Sequence, residues 1–353
     1  MIHYIPFLKA KRGEFNAMSE LAPEVKQAIC PFFDFPLQKE KYSSSSYVRK
    51  TQDIAAGLKN HWDADAEFYF DDFDISQALE VENQEPYAYV LRALKGYCLI
   101  PVVGLGRGPH NNSVFQSKRE GETASSIVAF RAVQDDFEDF ELTKDQIDYD
   151  LAGVFAQFDK IDLILDCRVC SELDISLTAK QISTFAGKFC QTYNVRRVVV
   201  TGSSIPMTLS DAVKPNTAEI VTRRELAIIS KARSLSEVDV VAGDYATVSP
   251  FFSDAKFDPK LFPIVTAPRL IYSFNHSHYI ARGISLKKGG QTQYVGITKT
   301  LCGQTFFRGR GYSAGENYFD DKRRQIGKNA TNGTVVTPSL VAHITYMVLD
   351  AKL

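Results

Sequence analysis

Eight short apolar runs recur along the chain before position 246, and stretches with helical spacing of apolar residues alternate with them. The runs span 4–12, 29–34, 66–74, 98–107, 125–131, 161–168, 197–206 and 238–245. The helical stretches include 14–28, 47–62, 87–95, 146–158, 178–193 and 223–235. Near-continuous apolar runs are typical of strands covered on both faces, and helices between them are typical of crossovers in a parallel sheet. A count of eight predicts a closed (β/α)8 barrel of the TIM type, with an open doubly wound sheet as the alternative.

The chain beyond Ser249 departs from this alternation. Segments 269–276 and 279–286 alternate apolar and polar residues, which predicts an antiparallel hairpin. A helix over 293–301, a glycine-rich loop over 307–315 and an apolar helix over 338–351 follow, and we expect the last to close the helical ring. We predict one domain over 1–353, in which 250–335 is an elaborated insertion or lid that places the hairpin and glycine-rich loop over the barrel mouth.

Composition limits the partners of this chain. With 353 residues, 44% hydrophobic and 24% charged, it is globular and can bury a large core. Its 41 basic and 42 acidic residues give a net charge of -1, so a nucleic-acid partner is not supported and no field draws it to a membrane. No apolar run approaches the ~20 residues of a membrane span. The six cysteines, including the pair Cys167 and Cys170, are expected to be buried thiols rather than zinc ligands. We therefore expect a cytoplasmic protein.

Charged residues gather where the apolar runs end. In a barrel all carboxyl ends of the strands emerge on one face, and that face carries the site. Lysine and arginine there can hold phosphate or carboxylate oxygens, so the pattern predicts an anionic small-molecule ligand. The candidate ligand-binding residues at these ends are Lys9, Lys11, Arg12, Arg131 and Arg168, and Arg308 of the glycine-rich loop is expected to act as a clamp. The alternatives are ion pairs that span the mouth and, for Arg308, a solvated surface turn.

Acidic residues at the same ends are candidates for catalysis and for a metal. Glu14, Asp166 and Asp244 are candidate general acids or bases, and Tyr245 is a candidate for positioning a substrate. The clustered Asp71, Asp72 and Asp74 are candidate ligands of a divalent cation, Asp72 and Asp74 foremost, and this cation is the only cofactor that the sequence suggests. An acidic surface loop is the alternative. No Gly-x-Ser-x-Gly elbow occurs, so nucleophilic serine chemistry is not expected.

Several stretches together resemble one known family. They are 6–14, 224–226, 242–245, 279–283 and 312–315. These motifs resemble the beta protein family, named for a phage T4 protein and found across phages and bacteria. The resemblance implies one domain and a bacterial or phage-infected cell as the location, and it carries no reaction. It places Lys9, Lys11, Arg12, Glu14, Asp244, Tyr245, Arg282 and Gly283 at recurring motif positions. This chain departs at Gly315-Glu316, where the family tends to have Gly-Asp, and at Ala342-His343, where it tends to have two histidines.

The leading hypothesis is that the barrel mouth binds a phosphorylated or nucleotide-like anion, with hydrolysis of that ligand as an open further step. Arg282 joins Lys9, Lys11 and Arg168 in holding the anion. We expect Lys11 and Asp244 to share one pocket. The alternatives are a non-enzymatic component of phage–host conflict, in defence or counter-defence, that binds a protein partner, and a scaffold whose mouth charges pair internally.

Overall fold

A closed barrel of parallel strands forms the centre of the computed structural model, which describes residues 2–38, 40–251 and 266–351. The barrel strands are β1 (Tyr4–Lys9), β2 (Phe32–Asp34), β3 (Phe68–Asp71), β4 (Leu99–Val103), β5 (Ile127–Val133), β6 (Lys160–Val169), β7 (Val195–Ser203) and β9 (Val240–Asp244), and a separate small sheet contains β8 (Thr217–Thr222), β10 (Arg269–Phe274) and β11 (Ser277–Arg282). Because β1 pairs in parallel with both β2 and β9, the sheet has no edge. The predicted (β/α)8 barrel is confirmed, and the open sheet is excluded.

Helices surround the barrel. They are α1 (Arg12–Glu20), α2 (Pro23–Gln27), α3 (Ser44–His61), α4 (Pro86–Ala93), α5 (Gly108–Arg119), α6 (Gln134–Phe137), α7 (Phe140–Phe155), α8 (Ile175–Thr192), α9 (Leu209–Ala212), α10 (Arg224–Leu235), α11 (Leu286–Gly289), α12 (Gln293–Cys302), α13 (Ala314–Arg323) and α14 (Val336–Leu349). The final helix packs against α1 and β1, as expected of a helix that completes the ring. Helix α5 was not predicted, because Val114 and Phe115 are its only apolar side chains and no helical stripe is visible.

The inward-facing side chains of the barrel form an apolar layer. Phe7 and Phe32 stack with their ring centroids 4.3 Å apart, and Tyr245 closes the layer against Phe7. Gly243 leaves room for this stack, because a Cβ at that position would lie 2.9 Å from the Phe7 ring. Side chains alternate between the two faces of a strand, so the next inward positions toward the carboxyl ends also point into the barrel. Those positions carry charge.

The small sheet is built on two neighbouring loops at the carboxyl-terminal face. Strand β8 follows β7, and the β10–β11 hairpin follows β9. The predicted hairpin is confirmed, although its second strand ends at Arg282, and β8 pairs with β11 as a strand that sequence reasoning missed. Apolar side chains of the hairpin pack against α12, α13 and α14. Of the predicted insertion 250–335, positions 252–265 lie outside the described residues.

Across the described segments, no helix has both the length and the apolar character needed to cross a membrane. All six cysteines are free. Cys167 and Cys170 are both buried, as the sequence predicts.

Candidate functional site

Five strand ends place charged side chains on the inner face of the barrel. Lys9, Asp34 and Asp71 lie side by side, because the registers pair Lys9 with Asp34 and Asp34 with Asp71. Arg131 of β5 and Asp166 of β6 face them from the opposite wall, and all of these side chains are buried. We call this layer, together with the residues just beyond it, the mouth of the barrel.

Arg131 is the hub of the mouth. Its Nη1 lies 2.9 Å from Asp34 Oδ1 and 2.9 Å from Asp71 Oδ2, while its Nη2 lies 2.7 Å from Asp166 Oδ2. Nη2 also donates to the Tyr245 hydroxyl at 2.7 Å, and that hydroxyl donates to Asp166 Oδ2 at 2.6 Å. One guanidinium therefore ties β2, β3, β5, β6 and the end of β9 together across the barrel.

A second set of ion pairs lies nearer the opening. Lys9 Nζ is 3.1 Å from Asp34 Oδ2 and 3.6 Å from Asp74 Oδ2, and Arg168 Nη2 is 2.7 Å from Asp74 Oδ1. Arg168 has φ 51°, in the left-handed region that non-glycine residues adopt at a cost. Its backbone N–H donates to Asp166 Oδ1 at 2.8 Å, which stabilises the turn. This turn directs the Arg168 side chain toward Asp74.

Burial and neighbouring charges fix the protonation states here. Burial opposes ionisation of Asp34, but Arg131 and Lys9 outweigh it and hold the pKa of Asp34 well below its usual range. Burial also raises the pKa of Tyr245, so its hydroxyl stays protonated and remains a donor. Burial acts to lower the pKa of Arg131, but three carboxylates surround its guanidinium and raise that pKa above its ordinary value. The ion pair between Asp34 and Arg131 is therefore charged at neutral pH.

An aromatic ring lies across these cations. The guanidinium carbons of Arg107, Arg131 and Arg168 lie 5.4, 4.6 and 5.0 Å from the Phe73 ring centroid. At the rim, Phe251 is 43% exposed and its ring lies 4.7 Å from the guanidinium carbon of Arg168. Cation–π contacts of this kind favour arginine over lysine at these positions.

The mouth also contains buried polar atoms that lack a hydrogen-bond partner among the described residues. They are Asp74 Oδ2, Arg107 Nη1, Thr201 Oγ1 and Ser249 Oγ. Thr201 is the register partner of Asp166 and shares the inward face of β7 with Val199. Ser249 follows Val248, whose carbonyl accepts a bond from Ser203 at the end of β7. Buried polar groups are almost always paired, so this group of atoms requires an explanation.

Asp244 belongs to a different network, on the outer side of the barrel wall. It precedes the inward-facing Tyr245 by one residue and therefore points outward, where it pairs with Arg223 and accepts from Tyr4 at 2.5 Å. His343 Nε2 lies 3.0 Å from Asp244 Oδ1. Burial opposes ionisation of Asp244, but His343 and Arg223 hold its pKa well below the usual range.

The outer network continues into the small sheet. Ser273 Oγ lies 2.6 Å from His343 Nδ1 and 3.0 Å from His278 Nδ1. Asp244, His343 and Ser273 are thus linked in the order of a serine-hydrolase triad, but the two imidazole nitrogens are exchanged relative to such a triad and Ser273 is 0% exposed.

The remaining candidates follow β1 or belong to the small-sheet region. Lys11 precedes α1 and is half-buried, Arg12 is exposed and Glu14 is buried in the first turn of that helix. Arg282 Nη1 donates to the Val213 carbonyl at 3.0 Å, within the small-sheet region.

Arg308 is held within the glycine-rich loop and its neighbours. Its guanidinium pairs with Glu316 at 2.8 Å and lies over the rings of Tyr272, Tyr312 and Tyr346 at 4.4, 4.7 and 4.9 Å. Its Nη1 also donates to the Ser273 carbonyl at 2.8 Å. Arg308 therefore fastens the loop to β10 and α14 in this structure.

Sequence reasoning missed several residues of the mouth. His110 lies in α5, the helix without an apolar stripe, and Phe73 lies between the two predicted metal ligands Asp72 and Asp74. Pro109 at the start of α5, directly after a glycine-rich turn, was the available signal for that helix.

The fold and the site define a (β/α)8 barrel whose carboxyl-terminal mouth is braced by buried ion pairs. The chain belongs to the Beta protein family, because the family model described as Beta protein matches residues 4–349. The resemblance inferred from the motifs is thereby confirmed. A comparison with curated proteins found no match.

A search of solved structures found a glucosidase from Croceicoccus marinus, solved at 1.8 Å. It has 13% sequence identity and a TM-score of 0.36, and the alignment covers 59% of this chain and 50% of that chain. The match therefore spans half of that glucosidase chain. No argument about fold or chemistry follows from a similarity at this level.

Proposed function

We propose that the barrel mouth binds a small anionic ligand of phosphorylated or nucleotide-like type. The observation that carries the proposal is the group of buried polar atoms without a hydrogen bond to the described residues: Asp74 Oδ2, whose one contact is the ion pair with Lys9 at 3.6 Å, Arg107 Nη1, Thr201 Oγ1 and Ser249 Oγ. Each such atom costs about 1–3 kcal/mol if nothing pairs with it. A polar ligand in the mouth would provide those partners.

The types of atom favour an anion. Arg107 Nη1 and the hydroxyls of Thr201 and Ser249 are donors, which suit the oxygens of a phosphate or carboxylate. Asp74 Oδ2 is an acceptor, which suits a hydroxyl or amino group elsewhere on the same ligand. A ligand with one acidic group and one donor group fits this set, as a nucleotide does.

The rim favours a flat ring on that ligand. Phe251 is 43% exposed and already stacks on Arg168, so one of its faces can receive a base. Stacking of a base on an aromatic side chain is worth about 1–3 kcal/mol.

Hydrolysis of the bound ligand is the second candidate function, and Asp74 favours it. Asp166 already accepts from Arg131, Tyr245 and the Arg168 backbone, so it has little capacity to accept a proton from water. Asp74 Oδ2 has no hydrogen bond to the described residues and is the better general base. An Asp74→Asn variant would then lose turnover by a larger factor than it loses ligand affinity.

Calorimetric titration with adenosine 5′-monophosphate, inorganic phosphate and adenosine tests the binding proposal. We expect the monophosphate to bind, phosphate to bind more weakly and adenosine not to bind. Phe251→Ala should weaken monophosphate binding about tenfold, the effect of losing one stacked base, without affecting phosphate. Tyr149→Ala is the matched control, since Tyr149 is exposed on α7. If none of the three compounds binds wild-type protein at millimolar concentration, the proposal is wrong.

A role in phage–host conflict, with a protein partner in place of the small ligand, stays a prediction from the family resemblance.

A further inference from the structure

Three side-chain atoms of metal-ligand type converge on one arginine nitrogen at the edge of the mouth. Arg107 Nη2 lies 2.8 Å from Asp71 Oδ1, 3.1 Å from Asp72 Oδ1 and 3.0 Å from His110 Nδ1. Ligand atoms offered by these two aspartates and the histidine all lie within 4.8 Å of one another. The guanidinium nitrogen therefore occupies the point at which a bound cation would sit.

The histidine is prepared to act as a ligand. His110 Nε2 lies 2.8 Å from the Val102 carbonyl oxygen, which can only accept, so Nε2 carries the hydrogen. The other ring nitrogen, Nδ1, faces the cluster and lies 3.0 Å from both Arg107 Nη2 and Asp72 Oδ1, so it is the nitrogen available to a cation there. The ring is also stacked on Tyr87, with centroids 4.1 Å apart. Metal-binding histidines are commonly oriented by this kind of bond from the other ring nitrogen to a carbonyl.

The aspartates are oriented from outside the cluster as well. Asp71 Oδ2 accepts from Arg131 Nη1 at 2.9 Å, and Asp72 Oδ2 accepts from the Tyr47 hydroxyl at 3.1 Å. Each carboxylate thereby directs its Oδ1 toward the convergence point. Glu85 Oε1, 3.8 Å from His110 Nδ1, supplies a further carboxylate oxygen nearby.

Arg107 itself is poorly satisfied in this position. Its side chain is 9% exposed, and its Nη1 is buried without a hydrogen-bond partner in the part of the chain that the structure describes. The residue lies between Gly106, which has φ 67°, and Gly108, so its backbone anchor is permissive. The Nη1 group of this guanidinium therefore lacks a hydrogen bond that it could form if the side chain moved to another position.

We propose that Asp71, Asp72 and His110 bind a divalent cation, and that Arg107 is the resident cation that the metal displaces. Two carboxylate oxygens and an imidazole nitrogen suit Mn²⁺ or Zn²⁺ better than Ca²⁺, which takes oxygen ligands. Metal–ligand bonds of about 2.0–2.2 Å require the ligand atoms to close in by about 1 Å or less. This set keeps Asp71 and Asp72 from the sequence-based metal prediction, and His110 replaces Asp74, which pairs with Arg168 and Lys9.

Displacement would also change the mouth. A guanidinium released from the cluster carries its charge toward the opening, where the proposed anion lies. The cation site does not depend on that anion, because Asp71, Asp72 and His110 are not among the atoms proposed to bind it.

Titration with Mn²⁺ alone tests the site. We expect wild-type protein to bind one Mn²⁺. Arg107→Gln should bind it more tightly, because the competing guanidinium is removed. The expected gain is about tenfold, the size of effect seen for residues beside metal ligands. Thermal unfolding should show that Arg107→Gln loses stability in EDTA and regains it with Mn²⁺. Adding His110→Gln to that variant should abolish both effects.

Two results would overturn the inference. One is an Arg107→Gln protein that loses stability but neither binds Mn²⁺ nor is restored by it. The other is wild-type binding that persists in Asp72→Asn but disappears in Asp321→Asn, a surface control, because it would locate the ion on α13. If Arg107→Gln does not fold, the comparison of wild type with Asp72→Asn and Asp321→Asn decides. Metal titrations contain no anionic probe, and nucleotide titrations contain EDTA, so failure here is distinguishable from failure of the proposed function.

Discussion

At the scale of single residues, the molecule depends on two buried charge networks that meet at neighbouring positions of one strand. Tyr245 directs its hydroxyl inward to Arg131 and Asp166, while Asp244 directs its carboxylate outward to Arg223. Removing ions from water costs several kcal/mol each, so networks of this kind are stable only when every charge is compensated.

The hub residue should therefore be sensitive to substitution. Arg131→Leu leaves Asp34, Asp71 and Asp166 without their shared partner, and we expect a loss of about 3–5 kcal/mol in the free energy of unfolding. Urea denaturation measures this loss. Arg92→Leu is the control, because Arg92 forms an exposed pair with Glu82 and should cost less than about 1 kcal/mol. Equal losses of unfolding free energy in the two variants would show that Arg131 stabilises the fold no more than an exposed ion pair does.

The outer network predicts a pH dependence of stability. Burial lowers the pKa of His278 well below its usual range, and Arg223 and His343 lower it further against the opposing effect of Asp244. Burial likewise lowers the pKa of His343, although Asp244 and Glu225 act to raise it. In the unfolded chain both histidines take up a proton near pH 6.5, whereas in the folded chain both stay neutral to lower pH. The contribution of these two neutral histidines to the free energy of unfolding is therefore fully present above pH 6.5 and is lost as the pH falls below that value.

Each of the two histidines should contribute to that loss, with an upper limit of about 1.4 kcal/mol per pH unit for the uptake of one proton. We expect His278→Gln to remove its own share of the slope of unfolding free energy between pH 6.5 and 5.5. Denaturation at a series of pH values gives the slope. His276→Gln, at an exposed position in the same hairpin turn, should leave the slope unchanged. A slope that is the same in His278→Gln and wild type would contradict the account.

At the scale of elements, the close approach of α13 to α14 attaches the small-sheet region to the barrel's last helix. Gly315 makes this contact possible, because a Cβ there would lie 2.3 Å from the Pro338 carbonyl oxygen and 2.8 Å from the Ala342 nitrogen. No flexible side chain can move aside, since both atoms belong to the backbone.

Glycine-to-alanine changes in two helices should therefore have opposite signs. Gly315→Ala must separate α13 from α14, and overpacking of this kind costs about 1–3 kcal/mol or more. Gly296→Ala in α12 meets nothing within 4 Å and should stabilise the protein by about 0.5–1 kcal/mol. Differential scanning calorimetry of both variants checks the signs. A stabilised Gly315→Ala variant would mean that the two helices are not packed as described.

At the scale of the whole molecule, sequence predicts the barrel because its strands are covered on both faces and therefore read as apolar runs. It also predicts that the strand ends carry the site. It does not predict which end residues meet, since a shift of one position reverses the face on which a side chain lies. For this reason the side chain of Tyr245 points into the mouth and that of Asp244 points away from it. A shared pocket for Lys11 and Asp244 stays a prediction, and the outward orientation of Asp244 argues against it.

Other parts of the site could not be read from the sequence for a different physical reason. His110 belongs to a helix that packs through buried polar side chains, among them Asn111 and Ser117, and such a helix has no apolar period. The strand β8 is exposed along nearly its whole length and shows no alternation. In both cases tertiary contacts, rather than local pattern, determine the element.

If the mouth leaves polar atoms without hydrogen bonds because a ligand binds there, then the affinity of Thr201→Val for adenosine 5′-monophosphate should be reduced. Thr201 Oγ1 has no hydrogen bond to the described residues, whereas Thr51 Oγ1 donates to the Tyr47 carbonyl at 3.1 Å, so Thr51→Val is the matched control. We expect Thr201→Val to bind the nucleotide about tenfold more weakly, the value of one hydrogen bond to a charged group, and Thr51→Val to bind it as wild type does. Equal affinity in wild type and Thr201→Val would show that the Thr201 hydroxyl does not bind the nucleotide.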